Sequence, residues 1–283
     1  MHRILSTYLF VRRALTPQII EAAAGAGFAA IELFCARGHF DYQSLADVRA
    51  LGAWLDAYGL ELHAVHAPTH RDQGPARESS SPISISDPER VRRLDAVDEI
   101  KRALDVAESV PFRFLVLHVA TSRDPDDPRR WDAAFNSIEH LALFAKHRAV
   151  TIALENTPGE LPTPANLKRF LDQTRLTDVR FCFDVGHAHM DGGIAVALES
   201  MRDRIVTAHI HDNHGEKDEH LPPFDGTVDW PATLGALPPE TPLVLELRAP
   251  EVALGTDPPD PAALLDIARA SLDRLAQTQP TQA

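Results

Sequence analysis

The chain repeats one pattern eight times, in which a short apolar run of strand length is followed by a longer amphipathic stretch of helix length. Strands that alternate with helices form parallel βαβ units. Eight such units predict an α/β fold of one kind, a closed (β/α)8 barrel or TIM barrel, and 283 residues suit a barrel of roughly 250 residues. The predicted strands are residues 4–10, 28–34, 60–66, 112–119, 150–154, 179–183, 205–210 and 242–247. The alternative, a doubly wound open sheet, is disfavoured because no glycine-rich phosphate loop follows the first strand.

No linker or change in composition divides the chain, so we predict a single domain over residues 1–276 and a disordered tail over 277–283. Residues 69–87 interrupt the alternation and are rich in Ser, Pro and Arg. A long loop in a compact domain is usually functional or disordered. We therefore expect either a lid over the end of the third strand or a mobile loop without a role.

Composition limits the partners and the compartment. The net charge of −13 disfavours nucleic acid as a partner, since such a surface repels phosphate backbones. No apolar run approaches about 18 residues, so we expect no membrane span. Cys35 and Cys182 lie far apart in the sequence, which gives no disulfide framework and fits a reducing cytoplasm.

Polar residues recur where the predicted strands end, and in a barrel these ends form one ring at the top face. The ring would contain Glu32, His66, His118, Glu155, Asp184, His187, His211 and Glu246. Any one of them alone is more simply explained as a core histidine or as a charge in a salt bridge. A whole ring of buried carboxylates would be very costly without compensation, and a divalent cation would supply it. Two Glu, one Asp and one His suit Mn²⁺, Mg²⁺, Co²⁺ or Zn²⁺.

Seven segments carry a resemblance that covers essentially the whole chain. They are HAP at 66–68, LENT at 154–157, FDVGH at 183–187, HIHDN at 209–213, DEHLPP at 218–223, DGTVDW at 225–230 and LE at 245–246. In this order, at successive strand ends, they resemble the xylose isomerase-like TIM barrel family. That family includes sugar isomerases, sugar epimerases, inosose dehydratases and nucleases of the AP endonuclease IV type.

In the isomerase and epimerase branch, the resemblance implies one divalent cation, with Mn²⁺ as the first choice. Its ligands would be Glu155, Asp184, His211 and Glu246. Glu155 and Glu246 would also move a proton next to the carbonyl of a sugar or polyol, through a metal-stabilised enediolate. Glu32, His66, His118, His187 and His220 would line the substrate pocket. A dehydratase would use the same site, and members of the family often form homo-oligomers.

The nuclease branch gives a second interpretation. His66, His118, Glu155, Asp184, His187, His211, Asp218, His220 and Glu246 match, by type and order, the ligands of that branch's three-zinc site. Two departures weaken it: Asp218 follows His211 more closely than in the nucleases, and the chain is strongly acidic with only 6% aromatic residues. A nuclease that bends DNA needs a basic surface with aromatic side chains. Phe224 stands where sugar-active relatives usually carry Gly, which would alter the loop after the seventh strand.

Overall fold

The computed structural model describes residues 3–71, 81–251 and 259–278. Eight parallel strands close into one barrel in chain order, with β8 paired to β1, which confirms the predicted (β/α)8 barrel and single domain. The strands are β1 (Arg3–Ser6), β2 (Ala30–Phe34), β3 (Glu61–His66), β4 (Phe114–His118), β5 (Thr151–Glu155), β6 (Arg180–Asp184), β7 (Ile205–Ile210) and β8 (Leu243–Leu245). The helices are α1 (Pro17–Gly25), α2 (Leu45–Tyr58), α3 (Arg90–Leu104), α4 (Pro128–Lys146), α5 (Pro164–Gln173), α6 (Val185–Met190), α7 (Ile194–Met201), α8 (Trp230–Ala236) and α9 (Pro261–Thr278).

The main apolar core lies between the barrel and its helices, and a smaller cluster is separate from it. That smaller cluster contains Ala64, Val116, Ala153 and Cys182, from four consecutive strands. Side chains alternate along a strand, so Ala153 shares a face of β5 with Glu155. These small buried residues therefore form a layer next to the polar strand ends. None of the helices in the described ranges has both the length and the hydrophobicity needed to cross a membrane.

Several boundaries differ from those predicted. The first strand stops at Ser6, because its hydroxyl accepts a hydrogen bond from the Tyr8 amide and starts a 3-10 helix over Thr7–Phe10. Helix α6 begins directly after β6, where the sequence analysis placed no helix, and the Asp184 carboxylate caps it by accepting from the His187 amide. Helix α9 extends to Thr278, so the predicted tail begins two residues too early; residues 279–283 lie outside the described part.

Only the two ends of the predicted lid, residues 69–87, fall within the described residues, since 72–80 lie outside them. The ends approach each other as an antiparallel pair: the Ile83 amide donates to the Thr69 carbonyl, and the Arg71 amide donates to the Ser81 carbonyl. The prediction of a lid therefore stays a prediction.

Asp212, two residues after the end of β7, organises the loop that follows. Its buried carboxylate accepts hydrogen bonds from the amides of Asn213, Phe224 and Val228. It also accepts from the indole nitrogen of Trp230 at 2.8 Å. Phe224 has a φ of 75°, a left-handed conformation that strongly favours glycine, so its hydrogen bond to Asp212 helps to hold a strained residue. One carboxylate thus fixes residues 213–230 across the top of the barrel.

We predict that Gly226→Ala destabilises this loop and the protein. A Cβ at residue 226 would lie 2.3 Å from Oδ1 of Asp212 and 2.4 Å from the Asn213 carbonyl oxygen. The expected loss of unfolding free energy is about 1–3 kcal/mol, as for other overpacked sites. Gly235→Ala is the matched control, because its Cβ in α8 meets no atom within 4 Å and should stabilise the helix slightly. Chemical denaturation of both variants measures the difference, and equal stabilities would contradict the proposed role of the loop.

Candidate metal centre

Most of the site is built from residues at the ends of strands. His66, His118, Glu155 and Asp184 are the last residues of β3, β4, β5 and β6. Glu246 follows β8, and its amide donates to the Ile210 carbonyl of the neighbouring strand. The closed barrel therefore brings these five predicted residues together at one end. Their donor atoms fall into three adjoining clusters.

The central cluster consists of Glu155, Asp184, His209 and Glu246, whose donor atoms all lie within 4.8 Å of one another. All four side chains are buried. Nδ1 of His209 lies 3.4 Å from Oε1 of Glu155, 3.6 Å from Oδ2 of Asp184 and 3.3 Å from Oε2 of Glu246. Three carboxylates thus surround a single imidazole nitrogen.

His209 occupies the position that the sequence analysis assigned to His211. Side chains alternate along a strand, so Thr207, His209 and His211 lie on the same side and both histidines point the same way. His209 pairs in register with Asp184, whereas His211 lies one layer further out. The sequence analysis missed His209 because it took the residue at the end of the strand. The alternation was visible in the sequence, but the stagger between β6 and β7, which includes a register shift, was not.

The β3–β4 cluster consists of His66, His118 and Glu155. The Nε2 atoms of the two histidines lie 3.2 Å and 3.0 Å from the same oxygen, Oε2 of Glu155. The other oxygen of Glu155, Oε1, faces His209 in the central cluster. Glu155 is therefore shared between two clusters, with one oxygen in each.

The loop cluster consists of His187, His211, Asp218 and His220. Asp218 lies 3.5 Å from Nε2 of His187 through Oδ1 and 3.1 Å from Nε2 of His220 through Oδ2. His211 connects this cluster to the central one, since its Nε2 lies 3.0 Å from Oδ1 of Asp184. Gly186 makes room for the His211 ring, because a Cβ there would lie 2.1 Å from it. The Asp212-bound loop is what carries Asp218 and His220 to this position.

Glu32 was predicted to line the substrate pocket, and the structure places its side chain fully buried inside the barrel. Its carboxylate accepts from the Ser6 hydroxyl at 3.2 Å and contacts Nε2 of His209 at 3.1 Å. It lies behind His209 relative to the central cluster.

The histidines keep the carboxylates ionised in spite of their burial. Burial alone would raise the pKa of Glu246, but the neighbouring His209 and His220 lower it to about 2. Burial acts on Glu155 in the same direction, and His118 and His209 outweigh it, so that its pKa lies well below the ordinary value. An ionised carboxylate is what a divalent cation requires of a ligand and what a proton acceptor must be.

The three clusters contain four of the eight buried side-chain polar atoms that have no hydrogen-bond partner in the described part of the chain. They are Oε1 of Glu155, Nδ1 of His209, Nδ1 of His211 and Oδ1 of Asp218. Such atoms are costly to bury unless something satisfies them. Imidazole nitrogens and carboxylate oxygens are also common ligands of divalent transition metals. The residues present therefore fit a divalent cation, and the central cluster offers it four donors.

The sequence model of the family described as Xylose isomerase-like TIM barrel matches residues 20–276. The chain therefore belongs to this family, as its strand-end motifs predicted.

Two related proteins are similar in sequence. The uncharacterized protein MJ1311 of Methanocaldococcus jannaschii is 29% identical over 241 residues, which cover 80% of this chain and 75% of that protein. The uncharacterized protein y4fM of Sinorhizobium fredii is 29% identical over 200 residues, which cover 63% of each chain. The chain thus matches a little under two thirds of the length of y4fM.

Solved structures share the fold over nearly the whole chain. The IOLI protein with a bound zinc atom gives a TM-score of 0.78 at 15% identity and covers 100% of both chains. A D-tagatose 3-epimerase-like protein gives 0.76 at 22% identity and covers 98% of this chain and 99% of that one. The probable 3-DHS dehydratase AsbF of Bacillus anthracis gives 0.69 at 15% identity, with the same coverage. At these identities the likeness shows the fold alone.

We predict that His209→Ala weakens Mn²⁺ binding at the tightest site more than His211→Ala does. The first variant removes a donor from the central cluster, whereas the second leaves all four donors in place. We expect at least a tenfold loss for His209→Ala, or about 1.4 kcal/mol. Calorimetric titration of metal-free protein measures both affinities. The reverse order would favour His211 as the ligand, as the sequence analysis had it.

Proposed function

We propose that the chain is a divalent-metal-dependent enzyme that moves a proton next to the carbonyl of a sugar or polyol, as an epimerase or isomerase. The observation that carries the proposal is the central cluster, in which two ionised glutamates and a third carboxylate converge on His209. Glu155 and Glu246 come from β5 and from the end of β8, so they approach the cluster from different sides of the barrel. The solved structures support the class, because several of them are described as sugar epimerases or epimerase-like proteins.

Glu155, Asp184, His209 and Glu246 would hold the cation. When bound, it would stabilise the negative charge that develops on the carbonyl oxygen of the substrate. The two glutamates differ in how firmly they are held. Oε2 of Glu155 is contacted by both His66 and His118 at 3.0–3.2 Å, whereas among the described residues the ion pairs of Glu246 are with His209 at 3.3 Å and His220 at 3.7 Å. We assign the first proton abstraction to Glu246, because its carboxylate has more freedom to reach a carbon atom.

The residues at the mouth suit a small polar substrate with one apolar face. Tyr8 and Phe34 pack on each other, with ring centroids 4.9 Å apart, and their rings lie beside His220 and His66. Arg248 lies 3.7 Å from Asp218 and, within the described part of the chain, is the only Lys or Arg in an ion pair with a cluster residue. An inosose-type dehydratase would begin with the same proton abstraction and then release a hydroxyl group. The two buried unpaired cysteines support a reducing cytoplasm as the place of action.

A second candidate, a zinc-dependent phosphodiesterase, is favoured by the adjoining clusters and by the shared Glu155. The three clusters together contain four carboxylates, Glu155, Asp184, Asp218 and Glu246. With neutral histidines, one divalent cation leaves this region with a net charge of −2, whereas three leave it at +2. Only the second arrangement would attract a phosphate group. The net charge of −13 still opposes a nucleic acid as the substrate.

The deciding experiment is a metal count followed by two substrate panels on the same preparation. Protein purified without added metal or an affinity histidine tag is analysed by mass spectrometry for bound metals. It is then assayed with ketoses and inososes and with phosphodiesters that include an abasic duplex. One Mn, Co or Mg per chain with sugar turnover supports the proposal. Two or three Zn per chain with phosphodiester cleavage replaces it by the second candidate.

We predict that Glu246→Gln lowers kcat on the sugar substrate by at least about 100-fold, because a positioned general base typically contributes this much. His118→Ala is the matched variant, since it changes the β3–β4 cluster and leaves the central donors in place. It should lower sugar turnover by less than Glu246→Gln does, because it removes one contact to Oε2 of Glu155 and none of the central donors. Steady-state kinetics measures both. Full sugar turnover by Glu246→Gln would refute the two-carboxylate mechanism, and a large loss in His118→Ala alone would favour the multi-metal alternative.

A further inference from the structure

Glu32 is a fully buried carboxylate that takes no part in the proton transfers proposed above. It lies on β2 in register with Ser6 of β1, and the Ser6 hydroxyl donates to Oε1 at 3.2 Å. Its other oxygen, Oε2, contacts Nε2 of His209 at 3.1 Å. The described residues thus form a buried chain from Ser6 through Glu32 to His209, which ends at the central cluster.

The two nitrogens of His209 face opposite environments. Nε2 faces Glu32, and Nδ1 faces the three carboxylates of the central cluster without a hydrogen bond. A neutral imidazole carries one N–H, and the partner of one nitrogen decides where the proton resides. A carboxylate can only accept, so Glu32 holds the proton on Nε2. The lone pair is then left on Nδ1, which is the atom that the cluster needs as a donor.

Three other histidines of the clusters are oriented differently. Nδ1 of His66, His187 and His220 lies within hydrogen-bond distance of the main-chain carbonyl oxygens of Ala67, Asn156 and Glu246, respectively, at 2.8–3.0 Å. Their Nε2 atoms each face a cluster carboxylate. Nδ1 of His187 also lies 3.4 Å from Glu155 and Asp184, and Nδ1 of His220 lies 3.7 Å from Glu246, but in both residues Nδ1 has the carbonyl as its hydrogen-bond partner. His209 therefore presents the opposite nitrogen and uses a charged partner where the others use a neutral carbonyl. A carboxylate behind a histidine ligand fixes its tautomer and raises its basicity more than a carbonyl does.

We infer that Glu32 is a positioning residue, held by Ser6, that fixes His209 with Nδ1 toward the central cluster and thereby sets the affinity of that cluster for its cation. The inference rests on the proposed metal site. It replaces the expected role of Glu32 as a substrate-binding residue. The assignment needs no contact between Glu32 and the substrate.

The test is the Mn²⁺ affinity of metal-free protein, measured by calorimetric titration, for the wild type and Glu32→Gln. Glutamine keeps the size of the side chain and removes its charge. We expect the affinity to fall by about 10- to 100-fold, as is typical when the group bonded to the other ring nitrogen of a metal-bound histidine is changed. Glu99→Gln is the matched control, because Glu99 is also buried but bonds to Tyr42, Gln43 and Arg102, away from the clusters. The Mn²⁺ affinity of Glu99→Gln should stay within about threefold of the wild-type value, since Glu99 lies away from His209.

A second readout separates positioning from general destabilisation. Histidine side-chain ¹⁵N spectra of the Zn²⁺-loaded protein should show His209 with its proton on Nε2, and Glu32→Gln should alter this signal, whereas Glu99→Gln should not. Ser6→Ala, which leaves Glu32 and His209 intact, should also weaken Mn²⁺ binding. If Glu32→Gln does not fold, Ser6→Ala serves as the test variant in its place. Affinity unchanged in Glu32→Gln, or in Ser6→Ala when only that variant folds, would overturn the inference. A wild type that binds no Mn²⁺ would instead overturn the proposed metal site itself.

Discussion

The structure depends on the burial of negative charge at one end of the barrel. Glu32, Glu155, Asp184 and Glu246 are all almost completely buried, and an unpaired carboxylate in such a place would cost several kcal/mol or would become protonated. Histidines provide the compensation within the chain, and their contacts lower the pKa of Glu155, Asp184 and Glu246 despite burial. Nδ1 of His209 and Oε1 of Glu155 remain without hydrogen-bond partners even so. The top of the barrel thus retains buried donor atoms that a bound cation would satisfy.

Two kinds of support keep this arrangement in place. Within the barrel wall, neighbouring strands set the height of each donor, as the pairing of Asp184 with His209 shows. Above it, the Asp212 carboxylate gathers four donors from residues 213–230 and fixes the loop that carries Asp218 and His220. The first support is main-chain pairing between strands, and the second is a buried carboxylate with four hydrogen bonds, so both rest on hydrogen bonding rather than on apolar packing. Hydrogen bonds specify direction, which apolar contacts do not.

Much of the fold and of the candidate site was predictable from the sequence, because strand-length and helix-length segments alternate regularly along the chain. The alternation of strand and helix predicted the barrel, and the ring of strand-end residues predicted which side chains would converge. How far each side chain lies below the top of the barrel was not predictable, because this depends on the stagger between neighbouring strands. His211 was chosen where His209 lies deeper, and Glu32 was expected in the pocket although it lies behind His209. Helix α6 was missed because its start depends on a cap by Asp184, a residue that the sequence analysis had already assigned to the metal.

Glu155 has a consequence that extends beyond either of the clusters that it joins. One oxygen belongs to the central cluster and the other to the β3–β4 cluster, so an ion in either would draw on the same carboxylate. Occupancy of the two positions is then thermodynamically linked, and the linkage must be reciprocal. Mutual repulsion of two divalent ions opposes double occupancy, while the shared carboxylate screens it. The number of ions bound per chain would therefore vary with the concentration of available metal and would not be fixed by the fold.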